Sequence, residues 1–147
     1  MPNKNIEYAA TQFGKGFSCS QSVFSAFAPE LGLSQEAALK IASAFGGGMV
    51  RQGEVCGAVT GALMTLGLKY GSEIADDEEK VRQASQKLMQ RFKEENGSLL
   101  CRDLLGHHLN TSEDLEKARN SGVFNTTCPQ LVRYAAQLTE DIIETTK

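Results

Sequence analysis

Hydrophobic residues recur three and four positions apart along most of this chain, as they do on the buried face of an α-helix. No stretch shows the sustained alternation of polar and apolar residues that is typical of a β-strand. Residues 53–71 differ from the rest because their middle part carries no charge and has small residues four apart, at Gly57 and Gly61. This pattern predicts a buried helix that packs tightly against a neighbour. We expect one all-α domain over residues 1–147, with about seven helical segments around the helix at 53–71.

Capping signals predict where several of the helices begin and end. Ser18 followed by Gln21 forms a capping box, which starts a helix with Cys19 at its first position. Ser34 is the predicted cap of the next helix. That helix ends in three consecutive glycines, which are Gly46, Gly47 and Gly48.

The other three cysteines also fall at predicted helix starts. With Gly53 as the N-cap of the buried helix, Cys56 takes the third helical position, and a serine cap places Cys101 at the same position of a later helix. Cys128 precedes Pro129, and proline favours the first position of a helix. Cys128 is therefore the predicted N-cap of the last helix.

A cysteine at a helix start has an electrostatic environment that favours ionisation. Unpaired N–H groups and about half a positive charge stabilise the thiolate, which is both the nucleophile and the metal ligand. We therefore expect the fold to bring Cys19, Cys56, Cys101 and Cys128 together in one site, although no local motif such as CxxC joins them. The alternative is that they are structural, because a free cysteine often behaves as a small buried hydrophobic residue.

The glycine run and the arginine after it are the candidate residues for holding a bound group. Gly46, Gly47 and Gly48 allow the backbone to come close to a ligand or to cradle an anion with its N–H groups. Arg51 would offset the charge of a thiolate or of a bound anion. The simpler alternatives are a flexible helix end and a solvated surface arginine.

The net charge and the cysteines indicate which partners and which cellular compartment to expect. The net charge is −3, without a basic patch, which argues against nucleic acid or an acidic membrane as a partner. The uncharged run from Val55 to Leu68 is too short to span a membrane, and the first residues lack the apolar core of a signal peptide. We expect a cytoplasmic protein, in which the cysteines are reduced, metal-bound or redox-active.

The order of the cysteines resembles that of a known protein family. Cys19, the segment VCGAVTGA at residues 55–62, Cys101 and Cys128 are similar to the redox-active family named for the pattern C–GCAxxG–C–C. The family name writes Gly-Cys-Ala, whereas this chain has Cys56 before the glycine, in a CGAxxG form. The resemblance implies a small helical redox protein, often encoded near transport genes.

The leading hypothesis is a redox or metal-thiolate protein that uses the four cysteines. They would bind an iron–sulfur cluster or zinc, or cycle between dithiol and disulfide, with an electron-transfer protein as partner. The rival hypothesis is a non-catalytic interaction module, acting as a homodimer or beside a transport protein, because no acid–base pair, phosphate loop or nucleophile triad is visible. A third is a pocket for a small molecule or non-covalent haem behind the glycine run.

Overall fold

The computed structural model describes residues 4–146 as a bundle of eight α-helices and two short 3-10 helices, without a β-sheet in that range. The predicted all-α class is confirmed, with one helix more than the seven or so expected. The α-helices are α1 (Lys4–Gly14), α2 (Cys19–Phe27), α3 (Gln35–Ala42), α4 (Gly57–Tyr70), α5 (Glu79–Asn96), α6 (Cys101–Leu105), α7 (Ser112–Ser121) and α8 (Val123–Thr145).

The predicted caps of α2 and α3 are confirmed. The backbone N–H of Gln21 donates to the hydroxyl of Ser18, and the backbone N–H of Ser18 donates to the side-chain oxygen of Gln21, which completes the capping box. Ser34 accepts a hydrogen bond from the backbone N–H of Ala37 in the same way. These contacts fix the start of α2, and so the position of Cys19.

Helix α4 packs against α2, α5 and α8. Its glycines decide how closely α2 can approach. A Cβ atom on Gly61 would lie 2.7 Å from the backbone oxygen of Ser20 in α2, which is closer than real Cβ contacts occur. The two helices therefore touch through their backbones, and the first turn of α2 lies directly against the first turns of α4.

The predicted boundaries of the later helices need correction. Cys56 is the N-cap of α4 and not its third residue, and Cys101 is the first residue of α6 and not its third. Cys128 is the sixth residue of α8, whose N-cap is Gly122, so it is not at a helix start at all. Val123 and Phe124 pack against the core, and their burial extends the helix upstream of the proline.

Within residues 4–146, none of the helices combines the length and the apolar character needed to cross a membrane.

Candidate functional site

All four predicted cysteines lie on the wall of one cavity of about 850 Å³. Each of them is a free thiol. Cys56, Cys101 and Cys128 are buried, and Cys19 is half-buried. The cavity lies between the starts of α2, α4 and α6 and the first half of α8, so four segments distant in sequence each contribute one sulfur.

A short backbone bridge holds Cys56 and Cys101 side by side. Val55 and Leu100 form an isolated antiparallel β-bridge, which lies just before α4 on one segment and just before α6 on the other. The N–H of Cys56 donates to the oxygen of Leu99 at 2.8 Å, and the N–H of Cys101 donates to the oxygen of Glu54 at 2.7 Å. The backbone, rather than side-chain packing alone, therefore fixes this pair.

The loop after the glycine run forms a left-handed turn at the edge of the cavity. Gly47, Gly48, Met49, Val50 and Arg51 all have positive φ, between 55° and 73°. This conformation costs a residue with a side chain about 1–2 kcal/mol, and a β-branched valine is especially unsuited to it. Strained backbone of this kind clusters at functional sites.

The turn is held by hydrogen bonds and by contact with a cysteine. The N–H of Arg51 donates to the oxygen of Gly46 and that of Glu54 to the oxygen of Gly48, both at 2.9 Å. A Cβ atom on Gly48 would lie 2.7 Å from the Cβ atom of Cys101. Only glycine fits there, so the backbone of the turn rests directly on this cysteine.

Cys19 and Cys128 form a hydrogen-bonded pair with opposed acidities. The hydrogen bond from Cys19 lowers the pKa of the Cys128 thiol below its ordinary value of 9.0, although burial acts against this. The same bond raises the pKa of Cys19 well above 9.0, and burial and the charges of the other three cysteines add to the rise. The pair therefore loses its first proton more readily than an ordinary thiol does, and its second less readily.

Cys56 and Cys101 are held protonated by burial. Removal from water raises the pKa of Cys56 to about 11 and that of Cys101 to about 12. The N–H groups of Ala58 and Val59, in the first turn of α4, lower the pKa of Cys56, but desolvation outweighs them. We expected every helix start to favour a thiolate. At Cys56 the N–H groups do lower the pKa, but the thiol still stays protonated because burial has the larger effect.

The remaining predicted residues divide around the cavity. Gly46, Gly47 and Arg51 line it, whereas Gly48 is buried against Cys101. The structure adds wall residues that the sequence did not single out, from α1, the turn after it, α7 and α8. The main ones are Phe13, Phe17, Arg119, Phe124 and Asn125. Of these residues, only Phe13 could be picked out from the sequence, by the helical spacing of apolar residues in α1. The others follow no regular spacing, because a cavity wall is assembled from separate segments.

The four thiols do not form a ready metal site. Within residues 4–146, no group of three or more His, Cys, Asp or Glu side chains is placed to hold a metal ion. Metal ligation also requires deprotonated sulfur, and burial keeps two of these thiols protonated at neutral pH. As the thiols lie, a metal would be held by them only if they moved together and lost these protons.

Fold and site together define a small all-α protein with four thiols around one cavity. The sequence model of the family described as "Putative redox-active protein (C_GCAxxG_C_C)" matches residues 17–142, and the chain belongs to this family. The resemblance seen in the sequence is thereby confirmed. No curated protein and no solved structure matches the chain.

Because burial raises the pKa of these thiols, we expect the folded protein to lose stability at alkaline pH. In the unfolded chain Cys56 ionises near its ordinary pKa of 9.0, whereas in the folded protein it stays protonated to about 11. Between these values the unfolded state binds fewer protons, so the free energy of unfolding falls as pH rises. From pH 9 to pH 11 this thiol should account for about 2 kcal/mol.

Urea unfolding at several pH values under reducing conditions would measure this effect. Cys56→Ser lacks the thiol and should lose stability less steeply over the same range. Equal slopes for the two proteins would contradict the assignment of a raised pKa to Cys56.

Proposed function

We propose that the protein exchanges electrons between dithiol and disulfide forms, with Cys19 and Cys128 as the reacting pair. The observation that carries the proposal is that these two thiols share the cavity wall, where their interaction lowers the pKa of Cys128 and raises that of Cys19. It leaves Cys128 as the more acidic thiol, and the thiolate is the form that attacks a disulfide. Cys56 and Cys101 stay protonated and do not compete as nucleophiles.

The proposed reaction reduces a small-molecule disulfide. The Cys128 thiolate attacks one substrate sulfur, the substrate S–S bond breaks, and a mixed disulfide forms as the first thiolate leaves. The Cys19 proton passes to that departing thiolate. Cys19 then attacks the sulfur of Cys128, which releases the second thiolate to take a proton from water. The protein loses two electrons and gains a Cys19–Cys128 disulfide, and the substrate becomes two thiols; an external dithiol would reverse the change.

Trapping the mixed disulfide tests the order of attack. In Cys19→Ser the hydroxyl can still donate to Cys128, but no second sulfur can resolve the intermediate, so one substrate half should stay bound to Cys128. Peptide mapping by mass spectrometry would locate it. The wild type treated in the same way should instead yield a Cys19–Cys128 disulfide.

The control is Cys101→Ser, which removes a buried thiol from the same wall and should still yield the Cys19–Cys128 disulfide, as the wild type does. Oxidation that joins Cys56 and Cys101 first, or four thiols that remain reduced, would contradict the proposal.

A second candidate is a soft-metal or iron–sulfur site, which is supported by the presence of all four sulfurs on one wall. It would require the thiols to move together and lose their protons. Metal analysis and thiol counting on protein purified without oxygen would test this candidate. If iron or zinc is bound at a fixed ratio to the chain and all four thiols are unreactive, the metal site is favoured and the dithiol proposal is wrong.

A further inference from the structure

The charged groups on the cavity wall are all cationic, in a protein that is acidic overall. The chain has 18 acidic and 15 basic residues, yet no aspartate or glutamate contributes to the wall within the described part of the chain. The two charged residues that do contribute are Arg51 and Arg119. The wall therefore has the opposite charge to the molecule as a whole.

Of the two arginines, Arg51 is the one with its charge available. Arg119 lies 3.7 Å from a carboxylate oxygen of Glu116, which partly offsets its charge. Among residues 4–146 no carboxylate lies within ion-pair distance of Arg51. An arginine can bind a carboxylate or a phosphate through two parallel hydrogen bonds.

The strained turn places Arg51 against the cavity, and a glycine makes room for it. A Cβ atom on Gly47 would lie 2.8 Å from both the Cα and the Cγ atoms of Arg51. The stem of the arginine therefore folds back over Gly47, and any larger residue there would displace it. The left-handed backbone conformation is costly for Val50 and Arg51. In return, it directs the Arg51 side chain toward the cavity.

The rest of the wall is suited to an apolar body. Phe13, Phe17 and Phe124 line the same cavity as the thiols. Aromatic rings bury large areas and stack on planar groups. A ligand that fills this space would combine an apolar or aromatic body with a negative group held by Arg51.

We propose that the substrates of this site are small disulfides that carry a carboxylate or a similar anionic group, with Arg51 as the residue that selects them. This inference rests on the proposed function and adds the class of substrate. Selection acts on capture of the disulfide before Cys128 attacks it. A cationic wall raises the local concentration of an anion and its rate of encounter, by tenfold or more where the field is focused.

Two aromatic disulfides of similar size but different charge would test the selection. Dithiobis(nitrobenzoate) is a dianion, and dithiodipyridine is neutral at pH 7.5; each releases a product that can be followed by its absorbance. Arg51→Gln should lower the second-order rate of thiol oxidation by the dianion about tenfold, and leave the rate with the neutral reagent within about twofold. Arg51→Lys, which keeps the charge, should recover most of the loss with the dianion.

The matched control is Arg82→Gln, which makes the same change of charge on α5, away from the cavity. It should change neither rate by more than about twofold. The wild type gives a test that needs no variant: added salt should slow the reaction with the dianion and leave that with the neutral reagent unchanged.

The outcomes separate this inference from the function on which it rests. If neither reagent oxidises the Cys19–Cys128 pair, the proposed function fails. If both oxidise it, but Arg51→Gln changes the two rates equally or changes neither, the function stands and the selection by charge is wrong. An equal loss in Arg82→Gln would also overturn it, since the effect would then reflect net charge alone.

Discussion

Replacing Cys128 by serine should slow the reaction of the protein with a small disulfide at least about tenfold at pH 7.5. Of the thiols that would remain, Cys56 has its pKa raised by burial to about 11. A rise in pKa from 9 to 11 lowers the thiolate fraction at this pH about 100-fold, and the greater nucleophilicity of the more basic thiolate recovers about tenfold. Cys128 lies below 9, so the loss should be larger still.

The pH dependence of the rate provides a second readout. In the wild type the rate should rise with pH to a midpoint below 9, because the hydrogen bond from Cys19 lowers the pKa of Cys128. That phase should be absent from Cys128→Ser, and only the phases of the buried thiols above pH 10 should remain. Stopped-flow mixing with dithiodipyridine, over a range of pH in which the fold is retained, measures both quantities.

Cys101→Ser is the control for burial, since Cys101 is 6% exposed and Cys128 is 5% exposed. It should keep the rate and the midpoint of the wild type. If Cys128→Ser behaves like Cys101→Ser and the protein keeps its cellular function, the cysteines are structural. The hypothesis of a non-catalytic interaction module, as a homodimer or a partner of a transport protein, would then be favoured.

The sequence predicted those parts of the fold that depend on contacts within a few residues. Ser18 and Gln21 are three positions apart, and their reciprocal hydrogen bonds need nothing from the rest of the chain. The start of α8 depends on distant contacts. The preference of Pro129 for a first turn gave the wrong start, because Val123 and Phe124 gain burial in the core by continuing the helix upstream.

The candidate site shows the same division between local and distant causes. The spacing of the cysteines resembled a family pattern, and the structure places all four on one wall. Their acidities could not be read from the chain. For Cys56 the local N–H groups favour the thiolate, but burial by distant segments decides the pKa. For Cys128 the decisive group is Cys19, which is more than 100 residues away in sequence.

The left-handed turn was only partly visible in the sequence. Gly47 and Gly48 indicated a backbone with positive φ, but Met49, Val50 and Arg51 have side chains that disfavour it. Their conformation is imposed by the hydrogen bonds that tie the turn to its neighbours and by the cysteine beneath it. The structure therefore gives a reason for Gly47 and Gly48, which a simple helix end would not need.

Gly61→Ala should lower the free energy of unfolding by about 3 kcal/mol. The added methyl group would lie 2.7 Å from the oxygen of Ser20 and 3.1 Å from the Cβ atom of Val23. Neither neighbour is the free end of a flexible chain, because both atoms are held by α2, so the helices must move apart. Overpacking of this kind typically costs about 1–3 kcal/mol, and the contact with backbone places this site at the upper end. Urea unfolding under reducing conditions would measure the change.

Gly67→Ala is the matched control, because Gly67 lies in the same helix with no atom within 4 Å of an added Cβ. There alanine should stabilise the protein by up to about 1 kcal/mol, since it forms helix more readily than glycine. The two variants make the same chemical change, so the difference between them isolates the contact of α4 with α2.

That contact also sets the position of Cys19, at the first residue of α2. Gly61→Ala should therefore raise the pH midpoint of Cys128 toward that of an ordinary thiol, whereas Gly67→Ala should leave it unchanged. A lowered stability with an unaltered midpoint would mean that the glycine serves packing alone and does not align the thiol pair.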